Sequence, residues 1–251
     1  MKTIKNTFSL ALILCLTVSF SYAQQMFRVH QDNVRPSSHQ EYEAVAKKFR
    51  EACIEHNIDV SWATAMSSDF GYFYISPIEN FAELDGQPFA EMAKAMGDEF
   101  SNMFKEFDKH YDSHGTYILV KDSELSYMPE GEENAPQDDN YRDWYYMYYA
   151  PENAKNMHEG MMAVKTMFKE KGSKVYYRVY RDGFGHMEHF YLVSVASKDE
   201  VDSAQKTVEN RETLGPDRWD VFNKLLKYTS RTESYTGRMR PDMDYAPKAS
   251  E

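Results

Sequence analysis

Cysteine is nearly absent from this chain of 251 residues: there are two, Cys15 and Cys53. Cys15 falls inside an apolar stretch at the start, so a chain shortened past that stretch keeps one thiol and cannot form an internal disulfide. Long hydrophobic runs are also missing. Phe8 to Phe20 is too short for a comfortable membrane span, and no later stretch is apolar for long enough to cross a bilayer. Positive charge is scarce. Lys and Arg number 29 against 40 acids, a formal charge of −11 with no basic cluster, which disfavours nucleic acid and anionic membrane surfaces. There is no glycine-rich phosphate loop, no Gly-x-Ser-x-Gly elbow and no Cys-x-x-Cys pair. Nucleotide binding, serine hydrolysis and thiol redox chemistry are therefore unsupported.

What is present begins with a leader. Lys2 and Lys5 precede the apolar stretch, and Ser21-Tyr22-Ala23 puts small residues at the −3 and −1 positions before Gln24. This pattern predicts a cleaved signal peptide over 1–23 and a secreted or periplasmic protein. Losing two lysines and no acid makes the mature chain more acidic still. It remains long enough to bury a core without staples.

A strand–helix–strand–strand–helix–strand pattern then occurs twice. Phe73-Tyr74-Ile75-Ser76 leads into the acidic segment Glu79–Asp85, and Phe190-Tyr191-Leu192-Val193-Ser194 leads into Ser197–Asp202. In the first copy, Tyr42, Val45, Phe49 and Cys53 recur at helical spacing, so Cys53 reads as a small buried hydrophobe. Pro88 opens one long helix reaching Phe107, with a strand expected over Thr116–Val120. In the second copy, Pro151 opens a methionine-rich helix, and Asp182-Gly183-Phe184-Gly185 marks a hairpin. The expected organisation is a first unit over 24–128, an acidic linker over 129–142, a second unit over 143–242 and a flexible tail over 243–251. The fold class is α+β: two tandem ferredoxin-like βαββαβ units whose open sheet faces cover one another within one chain.

Strand periodicity proposes two faces. Phe27, Val29, Phe73, Ile75, Phe190 and Leu192 are assigned to the helices. That sends Arg28, His30, Tyr72, Tyr74, Tyr176, Arg178, Tyr180, His189 and Tyr191 to the space between the sheets. The result is a tyrosine-rich region with a few polar members. It reads either as a tight interface or as a cavity for an apolar or aromatic molecule.

The doubled pattern over Met26–Met128 and Asp143–Pro241 resembles the dimeric α/β-barrel superfamily, with NIPSNAP-like members nearest and antibiotic-biosynthesis-monooxygenase-like members next. The resemblance implies a barrel between the two sheets and carries over no catalytic residue. Some members bind haem through a histidine. No cofactor is expected here, and haem stays open with His158 and His189 as the candidate ligands.

Three functional readings follow. One is a binding protein for a small apolar or aromatic molecule, contacted by the nine residues of the tyrosine-rich face. Another is a cofactor-free monooxygenase-like enzyme, with His189 as candidate base and Arg178 stabilising a developing anion. The third is a non-enzymatic interaction protein with a filled barrel. A monomer suffices to close such a barrel, and a dimer stays open. No metal is expected: His110 and His114 stand four apart, but Ser113-His114-Gly115 reads as a solvated helix end. The acidic linker lacks the spacing of a calcium loop.

Overall fold

The computed structural model describes residues 25–128 and 139–248. The leader and most of the acidic linker lie outside the described residues. In chain order the elements are β1 (Met26–Val34), α1 (His39–His56), β2 (Ala63–Ser67), β3 (Gly71–Ile78), α2 (Ala90–Met96), α3 (Asp98–Phe107) and β4 (Tyr111–Tyr127). The second half repeats the order with β5 (Tyr141–Tyr149), α4 (Ala154–Glu170), β6 (Tyr177–Phe184), β7 (His189–Ser197), α5 (Glu200–Leu214), α6 (Arg218–Leu226) and β8 (Arg231–Met239).

The strands close into one antiparallel barrel in the order β1-β3-β2-β8-β5-β7-β6-β4, with β4 returning to β1. Two seams join the halves, β2 to β8 and β4 to β6. Closure leaves no free sheet edge. At the first seam a β-carbon on Gly237 would lie 2.3 Å from the Met66 carbonyl oxygen and from the Trp144 ring, so only glycine lets that ring pack across the junction.

Local chemistry accounts for the main departures from expectation. The helix from Pro88 to Phe107 is broken at Gly97, whose backbone takes φ +57 and ψ −125, a region open to glycine and costly for other residues. α1 ends at Asn57 in the left-handed region, which asparagine tolerates. β4 begins at Tyr111, so His114 lies within a strand and not at a helix end. The linker ends earlier than expected: Asp139 is buried, and Tyr141 and Arg142 already pair with β7 and β8. The segment after 242 is not a loose tail up to Lys248. Met243 and Tyr245 are buried, and the Tyr245 hydroxyl donates to the carbonyls of Cys53 and Ile58 at 3.0 and 2.8 Å.

The barrel faces are the largest correction. Phe27, Val29, Phe73, Ile75, Phe190 and Leu192 lie inside the barrel with Leu119, Trp144, Tyr146 and Tyr148, and do not face the helices. Tyr72 and Tyr74 pack outward under α1, and Tyr191 packs outward under α4. Only on β6 does the expected assignment match, with Tyr177 and Val179 under the helices and Tyr180 inside. Period two says which residues share a face, not which face is inner. On β3 both faces are covered and aromatic, so neither is marked by polar residues.

Candidate functional site

Two cavities result. The first, about 300 Å³, lies inside one end of the barrel. Its apolar wall includes Val29, Phe73, Ile75, Tyr117, Leu119 and Tyr146. Many of its polar groups bond one another. Tyr117 donates to Gln31 at 3.3 Å, and Tyr148 and Tyr235 both donate to Glu233 at 3.2 Å. Arg231 donates to the same carboxylate at 2.9 Å and sits 3.6 Å from the centroid of the Tyr148 ring. The hydrogen bonds from Arg231 hold the Glu233 carboxyl below its ordinary range, against the effect of burial.

The second cavity, about 350 Å³, lies outside the barrel between the sheet of the first half and α1–α3. Phe49, Trp62, Tyr74, Phe89, Phe104 and Phe107 form most of its wall, with Ala46 of α1 and Met243 of the C-terminal segment. Trp62 is held in place: its Nε1 donates to the Met243 carbonyl at 3.1 Å, and its ring packs 4.8 Å from that of Tyr245. The C-terminal segment is strapped over α1 by Arg240, which pairs with Glu43 and, at 2.9 Å, with Asp242.

Polar groups of this cavity gather on β1 and β4. His30 and Asp32 are two apart on β1, hence on one face; register places Asp32 opposite His114 and His30 opposite Thr116. His30 Nδ1 lies 2.9 Å from Thr116 Oγ1, and its Nε2 lies 3.2 Å from Asp32 Oδ1. Asp32 is 4% exposed. Its Oδ2 accepts from the Tyr42 hydroxyl at 2.5 Å, and Tyr42 and Tyr74 share a further hydrogen bond at 2.9 Å. Burial, then the neighbouring Tyr74 and Asp32, push the Tyr42 phenol well above its ordinary pKa, so it stays protonated and able to donate. Tyr74 is likewise raised, burial being the main cause.

The nine expected contact residues are therefore split. Arg28, His30 and Tyr74 come together, but in the cavity under the helices and not between the sheets. Tyr72 is spent on packing and on a 2.8 Å hydrogen bond to Glu43. Tyr180 points into the barrel against Phe27, and Arg178 shares its face, yet both lie beyond the lining of the barrel cavity. Tyr176 is exposed beside Tyr127. Tyr191 belongs to the core under α4, and His189, half-exposed, sits 2.8 Å from Asp182 and lines neither cavity. His158 lines neither as well, and Met157, Met161, Val164, Phe168 and Tyr177 pack the space between α4 and the sheet. Neither histidine is thus placed to hold a haem in the cavities described.

Sequence reasoning passed over Asp32 and Thr116, and left His114 as a solvated residue. The available signal was the pair of two-residue spacings, His30-x-Asp32 and His114-x-Thr116.

No family model matches the chain, and no curated protein matches it. Solved structures do. An anthrone oxidase-like protein aligns with TM-score 0.58 at 10% identity, covering 86% of this chain and 92% of that one. A candidate monooxygenase from Lactobacillus acidophilus NCFM aligns with TM-score 0.52 at 9% identity, covering 88% and 95%. A mutant chlorite dismutase from Candidatus Nitrospira defluvii aligns with TM-score 0.50 at 10% identity, covering 87% and 92%. The fold is a dimeric α/β barrel. Here one chain supplies both halves of that barrel. At such identities the likeness establishes architecture and not chemistry.

Proposed function

We propose that this α/β barrel binds an aromatic, hydroxyl-bearing small molecule in the cavity beneath α1–α3. The observation that carries the reading is the wall itself: aromatic side chains from Phe49 to Phe107 around about 350 Å³, with the charged residues and the hydroxyls of Ser76 and Thr116 all carried by the strands and none by the helices. The barrel cavity is less suited, because polar and charged side chains, Gln31, Asn33, Ser67, Asp69, His186 and Glu233, interrupt its apolar wall. One protein of similar fold is anthrone oxidase-like, and anthrone is a molecule of this kind.

A second reading, a cofactor-free monooxygenase-like enzyme, is favoured by the His30–Asp32 pair at the cavity edge. There His30 would take the proton of a bound hydroxyl, and the electron-rich substrate would itself reduce dioxygen. The expected base, His189, stands apart from both cavities.

Calorimetric titration with 1-naphthol and with anthrone tests the binding site. Ala46→Phe fills the cavity under the helices, and Ala65→Leu fills the one in the barrel. One-to-one binding that falls at least tenfold in Ala46→Phe and persists in Ala65→Leu supports the assignment. The reverse pattern in folded variants moves the ligand into the barrel.

Three further readings accompany this one. The two halves are read as tandem ferredoxin-like units; in each, the fourth, first, third and second strands lie side by side. A nearer kinship to NIPSNAP-like proteins is kept as an inference from the sequence pattern. The N-terminal pattern supports export with cleavage after Ala23.

A further inference from the structure

We propose that His30, Asp32 and His114 form a site for one divalent first-row transition-metal ion at the edge of the aromatic cavity. The proposal goes beyond the small-molecule reading and does not depend on it. One ligand atom from each of the three residues lies within 4.8 Å of the others. The donors sit on paired strands of a closed barrel, with Asp32 directly opposite His114, so the backbone that carries them is held rigidly.

A second observation points to a ligand. Asp32 is 4% exposed, yet its Oδ1 accepts no hydrogen bond. His30 Nε2 is 3.2 Å away from that oxygen but lacks the alignment of a donor. A buried carboxylate oxygen without a donor is costly unless a cation meets it. The remaining atoms of the cluster are oriented as an outer shell around a metal would orient them. Thr116 engages His30 Nδ1 at 2.9 Å, which leaves Nε2 for an ion. Tyr42 occupies Asp32 Oδ2 at 2.5 Å, which leaves Oδ1. His114 stacks on Tyr111, with ring centroids 5.1 Å apart.

The donor set decides the class of ion. Two imidazoles and one carboxylate suit zinc, iron(II), cobalt(II) or nickel(II). Magnesium and calcium prefer oxygen ligands. Three protein donors leave coordination positions for water or for an oxygen of a molecule in the cavity. Such an ion would occupy His30 Nε2, so that atom would no longer be free to act as the base of the second reading above.

The test is titration of the chelator-stripped chain with cobalt(II), followed by its visible absorption, and with zinc(II) by calorimetry. One equivalent is expected, with the cobalt bands of a nitrogen–oxygen site. His114→Ala, at an exposed position that tolerates truncation, should weaken binding at least tenfold, and His30→Ala by as much or more. Thr116→Val should weaken it roughly tenfold through loss of the orienting contact. His110→Ala, which removes a histidine that belongs to no such cluster, should leave it unchanged. The proposal is overturned if folded wild-type protein shows no bands and no heat at millimolar metal, or if folded His30→Ala and His114→Ala bind as wild type does. Binding of 1-naphthol, measured in parallel with and without chelator, keeps failure of the metal site distinct from failure of the cavity reading.

Discussion

Replacing Tyr42 by Phe removes a single oxygen and leaves the packing volume almost unchanged. That oxygen makes the one hydrogen bond accepted by the Asp32 side chain among the described residues, at 2.5 Å. Tyr42 has no solvent exposure and Asp32 has 4%, so bulk water is a poor substitute for the lost donor. A hydrogen bond to a charged group contributes about 1.5–3 kcal/mol. For a chain of this size each kcal/mol shifts Tm by about 2–4 °C, so the variant should melt roughly 3–12 °C lower. The same change made in an Asp32→Leu background removes only the bond to Tyr74. It should then cost about 1.5–3 kcal/mol less, which is within the coupling expected for residues in contact. Urea denaturation of the four proteins with chelator present, followed by circular dichroism, gives the cycle. The reasoning fails if Tyr42→Phe lies within about 0.5 kcal/mol of wild type, or if its cost is equal in both backgrounds.

Other consequences are equally accessible. Burial pushes the Cys53 thiol up to about 12, and the side chain has no exposure; at pH 8 it should react with an aromatic disulfide roughly a thousandfold slower in the folded protein than in urea. Arg240 holds the carboxyls of Glu43 and Asp242 below their ordinary range, Asp242 to about 2. A carboxyl whose pKa is depressed by folding stabilises the fold above its unfolded value, and that contribution is lost as pH falls through the folded value. Stability should therefore decline from about pH 4 toward pH 2, with a shallower slope in Arg240→Met; an unchanged slope would remove Arg240 as the cause. Tyr245→Ala opens a hole beside Trp62 and removes two hydrogen bonds, and should destabilise by about 3–5 kcal/mol as other large aromatic truncations do; a loss under 1 kcal/mol would show the C-terminal strap to be dispensable. N-terminal sequencing of exported protein should begin at Gln24, and an intact Met1 would refute cleavage there.

The order of elements was legible in the amino-acid sequence because most helices carry a 3.6-residue stripe, α5 is announced by its acidic start, and most strands alternate. The seam positions were not, because they depend on pairs far apart in the chain, such as Ala65 with Met239 and Lys121 with Tyr180. The inner and outer faces were inverted on β1 and β3 because Phe73 and Tyr74 are both aromatic and both covered. A strand with one wet face would have declared its orientation. The His30–Asp32–His114 cluster was hidden for a related reason. His114 looked like the partner of His110 four residues earlier, a helical spacing. Once β4 begins at Tyr111, the partner is set by cross-strand register with β1, which no local pattern reports. Tyr245 was missed since a lone aromatic beyond Pro241 has no periodicity to mark it as core.

Which of the two cavities holds the ligand is decided by a crystal structure with 4-bromo-1-naphthol. Anomalous scattering locates the bromine without reference to the rest of the density. One peak is expected among Phe49, Trp62, Phe89 and Phe104, beneath α1–α3. A peak among Tyr117, Tyr146 and Leu119 inside the barrel, or none at saturating ligand, would contradict it.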